Sequence, residues 1–324
     1  MYYPYLRGKQ FELLALRELS KTGALPDYSH VCPILEPLKA DASANQSAIG
    51  AMLNCGMRFA LILNPFRGDF GRDSGEFAQE SLKFIRENEG SSWIPAFLMD
   101  SNVDLARTII REYRLKDVML VAQEDAEFDQ FEEWLASGMV KYFVAPESKR
   151  NMRKIQRMRV KLDLIRIDDK FPQVKRNNDY RNTRESPNNE DQLFSEEYIF
   201  YKDDHYAGFS DYTLLTKDLA DGGALPYVVA IHLTYVGKDA EIRVRHFLSD
   251  SNSNGRENIQ KKFAEAAEKA KKFFAKRWDR TAAVDDLVRF MEDGHYPGLG
   301  SIKKISIKHH IQLVDHLLRE GDKA

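Results

Sequence analysis

The sequence predicts an α/β chain folded as a TIM-barrel-like (β/α)8 barrel. Short apolar runs without strict polar alternation recur roughly every 20 to 35 residues, which is how strands buried on both faces read. Amphipathic stretches fill most of the gaps between them. Eight such runs occur, and polar residues gather at or just past their C-terminal ends, where barrels place their sites.

The runs are residues 31–35, 59–63, 93–99, 118–122, 140–145, 162–167, 198–201 and 227–235. The first six are dominated by Val, Ile, Leu, Phe and Met. Between them, Asp73-Ser74-Gly75-Glu76 opens a helix to about residue 88, and Asp100-Ser101-Asn102 caps one reaching 113. Residues 124–135 begin acidic and 147–158 end basic, as helix termini prefer. An open doubly wound sheet is disfavoured because its first βα turn is Gly-rich, and Glu36-Pro37-Leu38-Lys39 is not.

A helix over 9–20, with Phe11, Leu14, Ala15 and Leu19 at helical spacing, is expected ahead of the first strand, closing the barrel bottom. The connection 169–196 is polar, rich in Asn and Arg, and too long for a plain βα loop. Residues 241–248 read as a strand pairing with 227–235 through Gly237-Lys238-Asp239. Three helices follow, over 256–278, 282–292 and 306–319. No linker composition interrupts the chain, so 1–324 reads as one domain: an N-terminal helix in 1–29, the barrel in 30–248 with the insertion 169–196, and C-terminal helices in 249–324.

Composition excludes several classes. With 43% hydrophobic residues and a net charge of −2, the chain can fill a core and is not disordered as a whole. No stretch approaches the roughly 18 apolar residues of a membrane span. Two cysteines, Cys32 and Cys55, make no disulfide framework, and Met1-Tyr2-Tyr3-Pro4-Tyr5-Leu6-Arg7 lacks a signal-peptide pattern, so the expected location is cytoplasmic. The near-neutral total hides two opposed segments. Residues 149–184 hold 13 Lys or Arg against 4 Asp, and 69–133 hold 16 acidic against 7 basic residues, a division that suits a charged partner or an internal pairing.

Glu36, Asp100, Glu147, Asp168 and Asp169 stand at strand ends, where convergent oxygens can hold a divalent ion with Lys39 balancing charge. The same positions also suit ordinary turns and caps. The segment 203–213 concentrates carboxylates with His205 and Tyr212; Asp211 is placed to cap or orient, and His205 to act as acid, base or ligand. Glu36, Lys39, Asp168 and Asp211 are thus the candidate catalytic set at the barrel mouth. No Cys-x-x-Cys, His-Glu-x-x-His, calcium loop, nucleophile elbow or Gly-Lys-Ser/Thr loop occurs, and no cofactor is expected, a divalent metal entering only under the alternative reading of the mouth as a hydrolase site. In the basic segment, Arg176, Tyr180, Arg181 and Arg184 are candidates for contacting a partner or nucleic acid through phosphate contacts and stacking. His205 and Tyr212 join them as candidate ligand contacts.

Four stretches carry a resemblance. They are the run from Met1 through Leu6-Arg7-Gly8-Lys9-Gln10-Phe11 to Glu18, Pro33-Ile34-Leu35-Glu36-Pro37-Leu38-Lys39, Gly208-Phe209-Ser210-Asp211-Tyr212-Thr213, and Lys308-His309-His310-Ile311. Together they resemble a bacterial family that is similar, more distantly, to the Beta protein family of the Gop–Beta cassettes of satellite phages. The resemblance implies a barrel-like α/β fold and a gene neighbourhood of phage defence or toxin–antitoxin control, where Beta-type proteins accompany a toxic partner. It implies no catalytic residues, and the basic insertion has no match in Beta.

The resulting expectation is an interaction protein binding a co-encoded effector, with nucleic acid a further partner through 149–184 and no membrane association. The alternative is a metal-assisted hydrolase acting on a phosphorylated or nucleotide-like substrate at the barrel mouth.

Overall fold

The computed structural model describes all of the chain except residues 22, 72, 89–92, 125–130, 219–226, 252–257 and 323–324. Its contacts divide the chain, which the sequence reads as one domain, into two compact units. The first comprises Met1–Asp168 and Phe200–Asp211, the second Asp169–Ile199 and Tyr212–Ala324.

The first unit is a (β/α)8 barrel. Its strands are β1 (Tyr5–Arg7), β2 (Ile34–Glu36), β3 (Phe59–Ile62), β4 (Trp93–Leu98), β5 (Val118–Val121), β6 (Val140–Ala145) and β7 (Asp163–Asp168). After β8 (Asp191–Ser195), which belongs to the second unit, β9 (Gly208–Asp211) completes the ring. All eight barrel strands run parallel, in the order β1-β2-β3-β4-β5-β6-β7-β9. The ring is nearly closed by Tyr2, which bridges in parallel to both Val31 and Phe209. Around it the Tyr3 N–H donates to Phe209 O at 2.8 Å and the Phe209 N–H to Met1 O at 3.2 Å.

The uninterrupted apolar runs follow from burial on two sides. Phe59, Ala60, Leu61 and Ile62 of β3 are all fully buried, as are the four residues of β5. Six helices alternate with these strands: α1 (Gln10–Leu19), α2 (Ala42–Cys55), α3 (Gly75–Glu87), α4 (Val103–Tyr113), α5 (Glu132–Ala136) and α6 (Lys149–Met158). Local chemistry sets several starts. Asp41, Asn102 and Ser148 accept the N–H of Ser43, Leu105 and Asn151 at 2.9, 3.0 and 3.3 Å. The acidic start expected over 124–135 falls partly on 125–130, outside the described residues.

Three element assignments are corrected. The N-terminal helix does not precede the barrel; it follows β1 and packs on α2 as part of the outer ring. Three residues ending in Arg show no periodicity, so β1 is recognisable only by its pairing. Residues 198–201 are not a strand, because α7 (Glu197–Phe200) makes a single helical turn there. The last barrel strand is instead Gly208-Phe209-Ser210-Asp211, a sequence of low strand propensity that tertiary pairing overrides. Gly208 is required there, since a Cβ would lie 2.5 Å from the Tyr3 ring and 2.7 Å from Met1 O. The long insertion therefore follows the seventh barrel strand rather than the sixth.

The second unit holds the run expected at 227–235. There β10 (Ala230–Val236) and β11 (Ile242–Leu248) form the expected hairpin, and β8 adds antiparallel to β11. Alternation divides the sheet's faces. Ile231, Leu233, Tyr235 and Phe247 pack with Val229 against α8 (Ile259–Phe274), α9 (Ala282–Glu292) and α10 (Leu299–Gly321). Ala230 and Leu248 pack instead with Val228, Tyr180, Phe171 and Val174. The insertion thus covers sheet: Asn177 Nδ2 donates to Val228 O at 2.8 Å and Arg181 Nη2 to Ser249 O at 2.5 Å. Among the described residues, no helix is long and apolar enough to cross a membrane.

Candidate functional site

The C-terminal ends of the barrel strands carry a polar layer centred on Glu36, the last residue of β2, which is 0% exposed. Tyr5 of β1 donates its hydroxyl to Glu36 Oε2 at 2.7 Å, and Gln123, just past β5, donates Nε2 to the Tyr5 oxygen at 2.7 Å. Since β1 and β5 stand four places apart in the eight-strand order, this contact runs across the barrel interior. Gln123 Nε2 also reaches Glu36 Oε2 at 3.4 Å. Arg67, in the loop after β3, donates Nη1 to Glu36 Oε1 at 3.3 Å and to Gln123 Oε1. Buried Arg7 places Nε 3.8 Å from Glu36 Oε2. Both carboxylate oxygens are therefore held by donors of the protein itself, in a chain of bonds that polarise one another.

Arg7 also lies between two carboxylates. Glu12, in the first turn of α1, is pushed up to about 8 by burial, against the lowering effect of Arg7 and Lys9. Next along the mouth, Asn64 donates Nδ2 to Leu98 O at 3.0 Å and accepts the Leu98 N–H at 2.8 Å, locking the end of β3 to β4.

On the other side, Asp168 and Asp211 are register partners across β7 and β9. Asp168 pairs with Arg166 Nε at 2.7 Å, and Arg166 Nη1 lies 3.4 Å from Glu147. Asp211, 3% exposed, accepts the Tyr2 hydroxyl at 2.7 Å. Burial, and secondarily the Asp211 charge, holds the Tyr2 phenol well above its usual range.

The predicted catalytic residues thus occupy three places. Glu36 anchors the β1–β5 side, Asp168 and Asp211 the β7–β9 side, and Lys39 pairs with Asp69 at 3.2 Å on exposed loops rather than with Glu36. Asp169 belongs to the second unit, where it accepts the Lys217 N–H at 3.2 Å. Among the described residues, no group of three or more His, Cys, Asp or Glu is arranged to hold a metal ion. No family model, curated protein or solved structure matches the chain.

The predicted binding residues do not form a single loop. Arg176 and Arg184 are exposed in the second unit, whereas Tyr180 is buried with its ring 4.0 Å from that of His246. The Tyr180 ring is therefore unavailable for base stacking, and Arg181 is engaged with the sheet through Ser249. His205 sits in an exposed turn of the first unit at φ 65°, while Tyr212 is buried in the second. Sequence reasoning missed Tyr2, Tyr5, Arg7 and Arg67 as site residues. The first three stand in the N-terminal run that carries the resemblance; nothing around Arg67 marks it.

The basic segment 149–184 is divided between the units after Asp168. Its first part is α6 and the residues just beyond. Lys149, Arg150, Arg153, Arg157, Arg159 and Lys161 are all exposed, while Asn151 and Ile155 face inward. Residues 148–162 contain no Asp or Glu, and none of these six cations pairs with an acidic side chain among the described residues. The acidic helices differ: α3 and α4 interleave their charges as Lys83–Glu87 and Arg107–Asp104 pairs.

Proposed function

We propose that this chain is an interaction protein whose barrel docks an acidic surface of a protein partner through the outer face of α6. The uncompensated row of cations on that helix carries the reading. Lys149, Arg153 and Arg157 recur every four residues, so they line up along one side with Arg150 beside them. Exposed cations without intramolecular partners repel one another slightly along the helix, yet they attract an acidic surface over a Debye length and speed docking. The resemblance to Beta-type families supplies the partner: a co-encoded, cytoplasmic effector of a phage-defence or toxin-control cassette.

The test is a tagged pull-down from the native operon with wild type and with Arg150→Glu, Arg153→Glu and Arg157→Glu combined. A stoichiometric protein partner, lost or weakened roughly 10- to 100-fold by the triple reversal, is expected. Unchanged capture refutes the α6 assignment. Recovery of nucleic acid alone, with affinity falling steeply with salt, replaces the protein partner by a polyanion.

A second reading is favoured by the register pairing of Asp168 with Asp211, which sets two carboxylates side by side at strand ends. Two adjacent carboxylates suit a divalent ion and a phosphorylated or nucleotide-like substrate, so this reading is a metal-assisted hydrolase. Under it, Asp168→Ala and Asp211→Ala each abolish biological activity in folded protein. Full activity in both variants removes it.

A further inference from the structure

We propose that Arg67 is the recognition residue of a small-molecule oxyanion site, for a carboxylate or phosphate, at the β1–β5 side of the barrel mouth. The inference requires the mouth to bind a ligand and does not depend on α6 or on a hydrolytic reaction.

Three observations converge on this residue. The first is orientation. Arg67 Nη1 is fixed by Glu36 Oε1 and Gln123 Oε1, and the guanidinium carbon lies 4.8 Å from the centroid of the Phe66 ring. Glu36 and Gln123 are themselves tied to Tyr5, so the anchor is held by groups from β1, β2 and the end of β5. A guanidinium placed this way has lost most of its rotamer freedom before any ligand arrives, which is the usual condition for useful affinity from one residue.

The second is the free edge. Nε and Nη2 of Arg67 have no partner among the described residues, and the side chain is 26% exposed while its Glu36 partner is 0% exposed. These two nitrogens form the fork that takes a carboxylate or phosphate bidentately. The inner nitrogen is thus used for positioning, and the outer edge is presented to solvent.

The third is charge. Arg7 and Arg67 face the single carboxylate of Glu36. Glu12, the other acid near Arg7, is kept largely protonated at neutral pH by burial. Glu36 thus serves two guanidiniums at once, and an oxyanion on the outer edge of Arg67 gives that cation a second anionic partner. On the β7–β9 side, Arg166 pairs with both Glu147 and Asp168, and Asp168 has Asp211 as its register partner.

The experiment is a titration of full-length protein, labelled with 15N-arginine, using inorganic phosphate and separately acetate, at constant ionic strength held with chloride. The Arg67 Nε–Hε resonance, assigned through Arg67→Lys, is expected to shift saturably in the millimolar range. Saturation by phosphate alone identifies a phosphoryl ligand, by acetate alone a carboxylate, and by both a site that accepts either. Arg67→Gln is expected to abolish binding measured calorimetrically. Gln123→Ala, which leaves Arg67 in place but removes one anchor, is expected to weaken it about 5-fold or more. A linear shift matching that of chloride alone overturns the proposal, as does phosphate affinity unchanged in folded Arg67→Gln. If Arg67→Gln does not fold, the wild-type titration and Gln123→Ala still decide it.

Discussion

His232 and His246 oppose each other across β10 and β11 with their Nδ1 atoms 2.6 Å apart. One ring must donate and the other accept, so the contact requires at least one neutral imidazole. From the insertion, Phe171 meets both rings edge-on and Tyr180 meets both at a tilt, at centroid distances of 4.0 to 6.1 Å. Burial drives His246 down to about 3, and burial, then the neighbouring His246, holds His232 well below its usual range. His309 is likewise driven down to about 4 by burial.

These histidines give unit 2 an acid-sensitive stability. Between about pH 6.5 and the depressed folded values, the unfolded chain binds protons that the folded one does not, so stability is full above pH 6.5 and falls as pH drops. Each histidine contributes at most about 1.4 kcal/mol per pH unit. Denaturant midpoints measured from pH 7 to 4 should decline, and His246→Phe should flatten the slope.

Glu12 works in the opposite direction. Its folded value near 8 exceeds the ordinary 4.5, so its contribution to stability is fully present below pH 4.5 and is lost as pH rises through 8. Glu12→Gln should therefore gain stability relative to wild type at pH 8 compared with pH 5. Thermal melts at the two pH values measure this difference directly.

Removing the Glu36 carboxylate should cost more than trimming its ligands. Tyr5→Phe deletes one donor and leaves Gln123 Nε2 without its phenol acceptor, a loss of about 1–3 kcal/mol. Glu36→Leu takes from Arg67 its carboxylate partner and from Arg7 one of the two carboxylates beside it, a loss of about 3–5 kcal/mol. Urea denaturation that ranks the two variants the other way contradicts the network described above.

Gly208→Ala tests the closure of the barrel. The added methyl meets the Tyr3 ring and Met1 O inside contact distance, so β9 cannot keep its present approach. A loss of about 1–3 kcal/mol is expected, read as a lower thermal midpoint. Gly56→Ala, at the end of α2, is the contrasting variant: it meets no atom within 4 Å and carries only the backbone strain of φ 78°.

The barrel strands from β2 to β6 are legible in the sequence because nearly every residue of each is buried, which leaves an apolar run that needs no partner to be recognised; β7, half-buried at alternate positions, is found from Leu164, Ile165 and Ile167. The helix start at Asn102 is legible for a similarly local reason, since the capping side chain and the N–H it accepts lie within three residues. The hairpin of β10 and β11 is legible from alternation around Gly237. Glu36 and Asp168 are found from their position at the end of an apolar run, and Asp211 from the concentration of carboxylates in 203–213, without any knowledge of what they touch.

What the amino-acid order determines by itself is therefore the local part: periodicity, caps, turns and the βα rhythm that implies a parallel barrel. The tertiary structure alone decides the rest. It makes strands of Tyr5–Arg7, too short to show a period, and of Gly208–Asp211, whose propensity is poor, because their backbones close the ring. It assigns the polar insertion to a sheet in the second unit, where Tyr180 covers His246. It also joins Tyr5, Glu36, Arg67 and Gln123, up to 118 residues apart, into one network. Pairing and convergence of this kind depend on the separation of groups in space, and spacing along the chain carries no record of it.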